Sequence, residues 1–539
     1  MLPGCVPWPT EFSRRYRAEG YWQGDSLGEL LRNWSRRSGD KTALVSGADR
    51  VSYAELDQQA DAMAAGLLAL GIGAGDRVVV QLPNTVEFVV VLFALLRCGA
   101  VPVLALPAHR RVEIEHLTEL SEAVGYVIPD TFGGFDYRVL AQQVQAGAPS
   151  LRHVLVAGDP GAFTALADVP GAANASVHPR SLPPIDPASV AVLLISGGTT
   201  GKPKLIPRTH DDYAYNARAS AEVCGLTADA VYLVCLPVAH NFPLACPGIL
   251  GTFGVGGTVV MSPAPSAEVA FELIERELVT ITALVPPLVR LWIDATGWES
   301  RDLSSLRLLQ VGGAKLDAAL ARQVRPRLGC QLQQVFGMAE GLLNYTRLDD
   351  PDELVMMTQG RPMSPADEVR IVDSEGADVE DGEVGELWTR GPYTLRGYYR
   401  MPEYNATAFT IDGFYRTGDL VLRLPSGHLV VQGRVKDVIN RGGENVSATE
   451  VEEYLLAHPA VAQAAVVALP DQTFGELVCA VIVASGRRPK LKELKAFLAD
   501  HGLATYKLPD KLVLLEQLPL TAAGKISKRA LIEQLRDSS

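Results

Sequence analysis

The stretch Ser196-Gly197-Gly198-Thr199-Thr200-Gly201-Lys202-Pro203-Lys204 decides how the rest of the chain is read. It follows the apolar run Val190-Ala191-Val192-Leu193-Leu194-Ile195, which predicts a buried strand. Beyond Ile195 bulk gives way to glycine and hydroxyl, so backbone N–H groups, hydroxyls and two lysines converge on one loop. Such a loop suits an anion with many oxygens, because small side chains leave the donors accessible. It is not a Walker A loop, which has four residues between its glycines and Ser or Thr after its lysine, whereas Pro203 follows Lys202 here. Taken alone the loop also reads as a polar surface turn, so its surroundings must decide.

A chain of 539 residues is long enough for two to four domains and a large core. Its net charge of -13 argues against a nucleic-acid binder, whose footprint is basic. Seven cysteines (Cys5, Cys98, Cys224, Cys235, Cys246, Cys330, Cys479) form no CxxC pair, and the histidines form no HExxH cluster. Neither a disulfide framework nor a zinc site is expected, and a reducing compartment suits the chain. The N-terminus lacks the apolar core of a signal peptide. The longest apolar run, Phe88 to Leu96, is too short to span a bilayer. The expectation is a soluble cytoplasmic protein without membrane or nucleic-acid partners.

Along the chain, Leu56, Ala60, Met63, Leu67 and Leu70 recur at helical spacing, with Gly71 as a stop. Strands are predicted at 78–82, 101–106, 123–128 and 153–156, with a helix at 85–96. This alternation predicts an α/β fold of parallel-rich sheets covered by helices. The Pro/Ala/Gly-rich segment from Asp159 to Pro187 reads as loop. Further strands are expected at 231–236, 257–261, 282–285 and 306–311. From about 366 short strands with turn signals predict a β-rich subdomain. The predicted organisation is a large N-terminal domain, 1–435, with that subdomain at about 366–435. A small mobile α+β C-terminal domain, 436–539, follows, with helices at 447–457 and 492–501 and a strand at 464–468.

Four polar turns punctuate the later chain. Gln334-Val335-Phe336-Gly337-Met338-Ala339-Glu340 puts a carboxylate after a glycine turn, and Tyr415-Arg416-Thr417-Gly418-Asp419 places an acid in what reads as a turn. Gly433-Arg434-Val435-Lys436-Asp437 leads into Asn440-Arg441-Gly442-Gly443-Glu444. Pro519-Leu520-Thr521-Ala522-Ala523-Gly524-Lys525-Ile526 sets one lysine behind a glycine on a mobile-looking loop. Their order and spacing resemble the adenylate-forming superfamily of acyl-CoA synthetases, peptide-synthetase adenylation domains and luciferase-like enzymes, over nearly the whole chain. The closer resemblance is to stand-alone aryl-acid adenylating enzymes of siderophore assembly. It is carried by Trp8-Pro9, Tyr16–Trp22, Leu205-Ile206-Pro207-Arg208-Thr209-His210, His240–Gly248 and Leu332–Gly341.

The resemblance implies a two-step reaction. An aryl carboxylate attacks the α-phosphate of ATP to give an aryl-adenylate and pyrophosphate; a phosphopantetheine thiol on an aryl carrier protein then displaces AMP. It implies Lys525 as the bridge between carboxylate and α-phosphate, the kind of preorganised charge that dominates such catalysis. Ser196, Gly197, Gly198, Thr199, Thr200, Gly201 and Lys204 would hold phosphates. Glu340 would hold Mg²⁺, a hard cation that takes oxygen ligands. Asp419 would accept from the ribose hydroxyls with Arg434 in support, and Gly313, Val335 and Gly337 would frame the nucleotide. Lys436 falls at the family's hinge. One departure is visible: related aryl enzymes often carry Lys after Gly-Gly-Glu, where this chain has Asn445.

The resemblance also places Asn241, Phe242, Cys246, Gly337 and Leu343 around the aryl ring and His240 near its carboxylate. Asn241 offers a donor and an acceptor to a 2-hydroxybenzoate. Relatives that use 2,3-dihydroxybenzoate typically carry Ser at the position of Cys246 and Val at that of Leu343. A 3-hydroxyl here would meet a weaker partner and more bulk, which favours salicylate. Cys and Leu are also everyday core residues, and 2,3-dihydroxybenzoate stays an alternative. An aryl-CoA ligase shares the first half-reaction, and a catalytically silent sensor shares only the fold. His116, His153 and His178 are read as surface or loop residues, and His210 and Tyr213 as structural.

Overall fold

Two sheets share one interior in the computed structural model, which describes residues 2–172, 182, 184–196, 203–441, 444–471, 475–501, 503, 505–521 and 524–537. The first sheet runs Leu205–Thr209, Val190–Ile195, Val101–Leu104, Arg77–Val80, Gly125–Pro129, His153–Ala157, Thr164–Ala165. The second, of nine strands, has its parallel centre in Gln331–Gly337, Leu308–Gly312, Ile281–Leu284, Val231–Val234, Thr258–Met261 and Thr42–Ser46. Helix Val86–Cys98 lies between them, buried from Phe88 to Cys98, and one hydrophobic cluster takes in side chains of both sheets. A helix apolar all round can only sit in such a place, which is where the Phe88–Leu96 run ends up. Among the described residues no helix is long and apolar enough to cross a membrane.

The α/β alternation gives both sheets a parallel centre, but antiparallel pairs lie at the margins, and two of these have a simple reason. Only nine residues, 196–204, separate Val190–Ile195 from Leu205–Thr209, and only five, 338–342, separate Gln331–Gly337 from Leu343–Tyr345. Connections that short return the chain antiparallel; a parallel neighbour needs a long crossover. The two stretches singled out for phosphate and cation binding are thus both hairpin ends. Arg208, fully buried, ties them together by donating to the Ala339 carbonyl at 3.1 Å.

Two predicted loops are corrected. Asp159 to Pro187 is not all loop: Thr164–Ala165 pairs with His153–Ala157, and a 3₁₀ turn, Leu166–Ala172, packs Val169 against Gly66. Tyr415–Asp419 is not a turn but the start of strand Tyr415–Arg423, in the four-stranded antiparallel sheet with Glu368–Val372, Gly385–Arg390 and Leu429–Arg434. Arg416 lies exposed over the Trp388 ring, Thr417 bonds the Leu387 carbonyl and Asp419 is buried, so no apolar–polar alternation marks the strand. The N-terminal aromatic motif is structural: Trp8, Tyr16 and Trp22 pack edge to face, and Trp22 Nε1 donates to the Pro392 carbonyl at 2.9 Å.

After a single 3₁₀ turn at Val435–Asp437 the chain enters a five-stranded sheet of Val438–Arg441, Glu444–Ser447, Val461–Asp471, Gly475–Ala484 and Lys511–Leu515. Strand Val461–Asp471 buries both faces: Ala464 and Val466 pack under helices Ala448–Leu456 and Leu491–Asp500, while Ala465 and Val467 pack with Leu531 and Leu535 of the last helix. This unit touches the rest at several points: Lys525 reaches Gly313, Ser447 Oγ donates to the Gln432 carbonyl at 3.1 Å, and Lys315 bonds Glu453 at 2.6 Å. The pair is partly exposed, and such pairs contribute about 0–1 kcal/mol.

Candidate active site

Around the second hairpin end, Glu340 is fixed from two sides. The Leu395 amide donates to its carbonyl at 2.7 Å, and the Tyr398 hydroxyl to its Oε1 at 2.8 Å. The turn needs glycine at 341, where φ is +103° and a Cβ would collide with the Tyr393 carbonyl. Tyr398 also pairs hydroxyl to hydroxyl with Tyr415 at 2.8 Å, and the Lys204 ammonium lies over the rings of Tyr398 and Tyr404 at 5.3 and 4.5 Å. Ser196 and Lys204 close the base of the first hairpin end: the Ser196 amide donates to the Lys204 carbonyl, and the Lys204 amide to Ser196 Oγ at 3.0 Å. Gly197, Gly198, Thr199, Thr200, Gly201 and Lys202 lie outside the described residues. Among the described residues no group of three His, Cys, Asp or Glu gathers. Glu340 therefore suits a cation such as Mg²⁺ that draws its other ligands from water and phosphate.

Across the cleft, Asp419 and Arg434 sit opposite one another on paired strands, with Nε to Oδ1 at 2.7 Å. Asp419 is buried and Arg434 half-exposed. Burial pushes the Asp419 carboxyl up, and Arg434 and then Lys525 pull it back. A carboxylate has about four lone-pair sites, so capacity remains for two further hydroxyls. Gly313 follows strand Leu308–Gly312 at φ +85°, and a Cβ there would stand 3.4 Å from Lys525 Cε and 3.3 Å from Val285. Val335 is on the adjacent strand, paired with Gly312. Lys525 reaches this point from the C-terminal unit on a tight loop, its carbonyl accepting from the Thr521 amide and its amide donating to Thr521 Oγ1. The lysine stays open to solvent yet is ringed by protein at the cleft mouth. Burial, then Arg434, lower its pKa against the opposing pull of Asp419 and Glu340.

The third group lies under helix His210–Val223. His240 precedes the short helix Asn241–Ala245, and its buried Nε2 has no partner. Burial, followed by the charges of Lys525 and His109, pushes it down to about 4, so the ring is neutral at neutral pH. Tyr213 donates its hydroxyl to Asn241 Oδ1 at 2.9 Å, and Asn241 Nδ2 donates to Cys246 Sγ at 3.3 Å. Asn241 thus keeps one N–H and the second lone pair of its oxygen for a ligand. Burial pushes the Cys246 thiol up to about 12, and Asn216 Nδ2 also donates to its sulfur at 3.9 Å. Phe242 lies against Gly312, where a Cβ would stand 3.0 Å from its ring. Leu343 pairs with Gly337, and its side chain covers that glycine so closely that a Cβ would collide with Cδ2.

Every described residue of the expected site thus falls in one cleft or at its edge, except Lys436, which lies in the connecting 3₁₀ turn. The side chain of Asn445 is outside the described residues. Tyr213, expected as structural, and Asn216 and Ser220, which sequence reading missed, support the pocket from beneath; Asn216 Nδ2 donates to the Ala245 carbonyl at 2.7 Å, and Tyr345 donates to Ser220 Oγ at 3.0 Å. Their i, i+3, i+7 spacing was the available signal. Arg208, buried and bonded to Asp212 at 2.8 Å, was quoted only as part of a motif.

A large α/β domain approached by one lysine from a small C-terminal domain is the arrangement of an AMP-forming adenylating ligase. The chain belongs to the AMP-binding enzyme family, whose profile matches residues 31–399, with the AMP-binding enzyme C-terminal domain at 450–525. It is 55% identical over 537 residues to a 2,3-dihydroxybenzoate-AMP ligase of Bacillus subtilis, covering 100% of this chain and 98% of that one. It is 54% identical over 539 residues to a salicyl-AMP ligase / salicyl-S-ArCP synthetase of Mycobacterium tuberculosis, covering 99% and 95%. Among solved structures, the apo structure of Mycobacterium smegmatis MbtA aligns with TM-score 0.77 at 54% identity over 99% of both chains.

Proposed function

We propose that this chain is a cytoplasmic salicylate–AMP ligase that loads an aryl carrier protein for siderophore-type assembly. The relatives' names support an aryl acid as substrate, and they divide evenly between salicylate and 2,3-dihydroxybenzoate. The observation that carries the choice is Cys246. Its sulfur already accepts from Asn241 at 3.3 Å and, at the longer distance of 3.9 Å, from Asn216, and Leu343 fills the space beside Gly337. A 3-hydroxyl lodged against this wall would lose its water partners and gain none, which costs about 1–3 kcal/mol.

In the first step a salicylate carboxylate oxygen attacks the α-phosphorus and pyrophosphate leaves. Neutral His240 can hold the carboxylate through its unpartnered Nε2 without neutralising it, so the oxygen keeps its nucleophilicity. Asn241 donates its remaining N–H to the 2-oxygen. Lys525 spans carboxylate and α-phosphate oxygens, Asp419 takes the ribose hydroxyls, and Ser196 to Lys204 take the β- and γ-phosphates. Bound at Glu340, Mg²⁺ would neutralise phosphate charge. In the second step the carrier thiolate attacks the acyl carbon and AMP leaves. Withdrawal of Lys525 by rotation about Lys436 would open its path, and the weak Lys315–Glu453 contact is compatible with that swing.

Pyrophosphate exchange across salicylate, 6-methylsalicylate, 2,3-dihydroxybenzoate and benzoate tests the proposal. Salicylate should exceed 2,3-dihydroxybenzoate by about ten- to a hundredfold in kcat/KM. The reverse order would move the chain to the second reading, which the Bacillus relative's name favours. Cys246→Ser combined with Leu343→Val should shift the ratio toward 2,3-dihydroxybenzoate by at least about tenfold. An unchanged ratio would remove both residues from the specificity argument.

A further inference from the structure

The strand residue Leu343 has an unusual backbone partner. Its carbonyl accepts from the Met363 amide at 2.8 Å, but its own amide donates to a side chain, the Tyr393 hydroxyl, at 3.0 Å. Tyr393 is fully buried and its pKa is raised far above the ordinary phenol range, by burial first and then by Asp367. It therefore keeps its proton, and that proton goes to Asp367 Oδ2 at 2.6 Å. Asp367 Oδ2 also accepts from the Ser364 amide at 3.1 Å, and Tyr215 donates to Ser364 Oγ at 2.6 Å. Asp367 Oδ1 is buried without any partner, and Gly391 is packed so tightly on it that a Cβ would collide.

Burial pushes this carboxyl up to about 7, with Tyr393 and then the Ser364 amide pulling it back. Burying a carboxylate with one oxygen unsatisfied is costly, and a phenylalanine with a small apolar residue would fill the same space. What the Asp367–Tyr393 pair supplies instead is direction. The carboxylate fixes the phenol rotor, so a lone pair of the hydroxyl points at the Leu343 amide, at the residue whose side chain closes over Gly337.

We infer that Asp367 and Tyr393 are positioning residues for the acid pocket, holding the Leu343 backbone so that its side chain sets the pocket wall. This rests on the aryl-acid reading above. Neither residue need touch the substrate. Their effect should fall on the acid and spare ATP, because the same segment reaches Glu340 through separate contacts from Leu395 and Tyr398.

The test compares Tyr393→Phe, Asp367→Ala and Asp367→Asn in pyrophosphate exchange, with thermal unfolding as a check on folding. Tyr393→Phe and Asp367→Ala should each raise the KM for salicylate about tenfold, with KM for ATP and kcat within about twofold of wild type. Asp367→Asn keeps an acceptor for the phenol and should restore most of the loss; if Asp367→Ala does not fold, this variant and Tyr393→Phe carry the comparison. In a Leu343→Ala background Tyr393→Phe should add less than about twofold, since no wall is left to position. An equal rise in both KM values, no rise in either, or an undiminished effect in the Leu343→Ala background would overturn the inference. Wild-type exchange is measured first: a wild type silent toward every aryl acid would strike the underlying reading instead.

Discussion

Lys525→Ala is expected to lower kcat for aryl-adenylate formation by about 10²- to 10³-fold while leaving the fold intact. The lysine makes no core contact that the fold depends on; it stands open to solvent at the cleft mouth, its loop held by Thr521 and by the Leu520–Ile526 bridge. Its ammonium would meet two anions that repel each other, and the charge is already in place before they react. Solvent cannot replace a fixed charge without reorganising, which is why the loss should appear in kcat. The same variant given preformed aryl-adenylate should transfer the acyl group to a carrier thiol at close to the wild-type rate. Equal losses in both half-reactions would defeat the assignment, because a residue withdrawn before thiol attack cannot slow it.

The lysine also predicts a pH limb. Burial and Arg434 lower its pKa from the ordinary 10.5, so the cation is lost at a lower pH than in a free lysine. The kcat/KM for adenylation should therefore fall on the alkaline side below 10.5. In Lys525→Arg, whose guanidinium stays charged throughout, that limb should disappear even if the rate is reduced. A limb that survives unchanged in the arginine variant belongs to another group.

The parts of this molecule legible in its sequence are those set by local pattern. Val190–Ile195 announces a strand by apolar run alone, and Val86–Cys98 announces a buried helix by having no polar face. Arg416, Thr417, Gly418 and Asp419 interrupt the alternation and so read as a turn, although they pair in a strand whose neighbours lie far away in sequence. The protonation state of His240 depends on burial by elements far away in sequence, and no motif encodes it. The lone pair of Asn241 that is already taken depends on Tyr213, 28 residues earlier, and the Leu343 amide on Tyr393, 50 residues later. The resemblance supplied which residues converge; only the packed chain supplied which of their hydrogen-bonding capacities remain free.

Asp419→Ala should raise the KM for ATP about a hundredfold with a much smaller change in kcat. The carboxylate would accept two ribose hydroxyls, and bonds to a charged acceptor are worth about 1.5–3 kcal/mol each; loss of the pair, partly replaced by water, leaves about 3 kcal/mol, or two orders of magnitude. The fold should tolerate the change because Arg434, the partner left behind, is half-exposed and can turn to solvent. Asp419→Asn, which keeps an acceptor but no charge, should fall between the two, near tenfold. Arg434→Ala acts in the opposite sense: it leaves the buried carboxylate without the charge that pulls its pKa down. Protonation should then begin at higher pH, and the acid limb of kcat/KM for ATP should move upward while the neutral-pH value changes little. The discriminating substrate is 2′-deoxy-ATP, which lacks one of the two hydroxyls. If Asp419 holds both, wild type should discriminate against the deoxy nucleotide and Asp419→Ala should not. Discrimination retained in the alanine variant would mean that the ribose is read elsewhere, and that the cross-strand pair with Arg434 serves the sheet rather than the nucleotide.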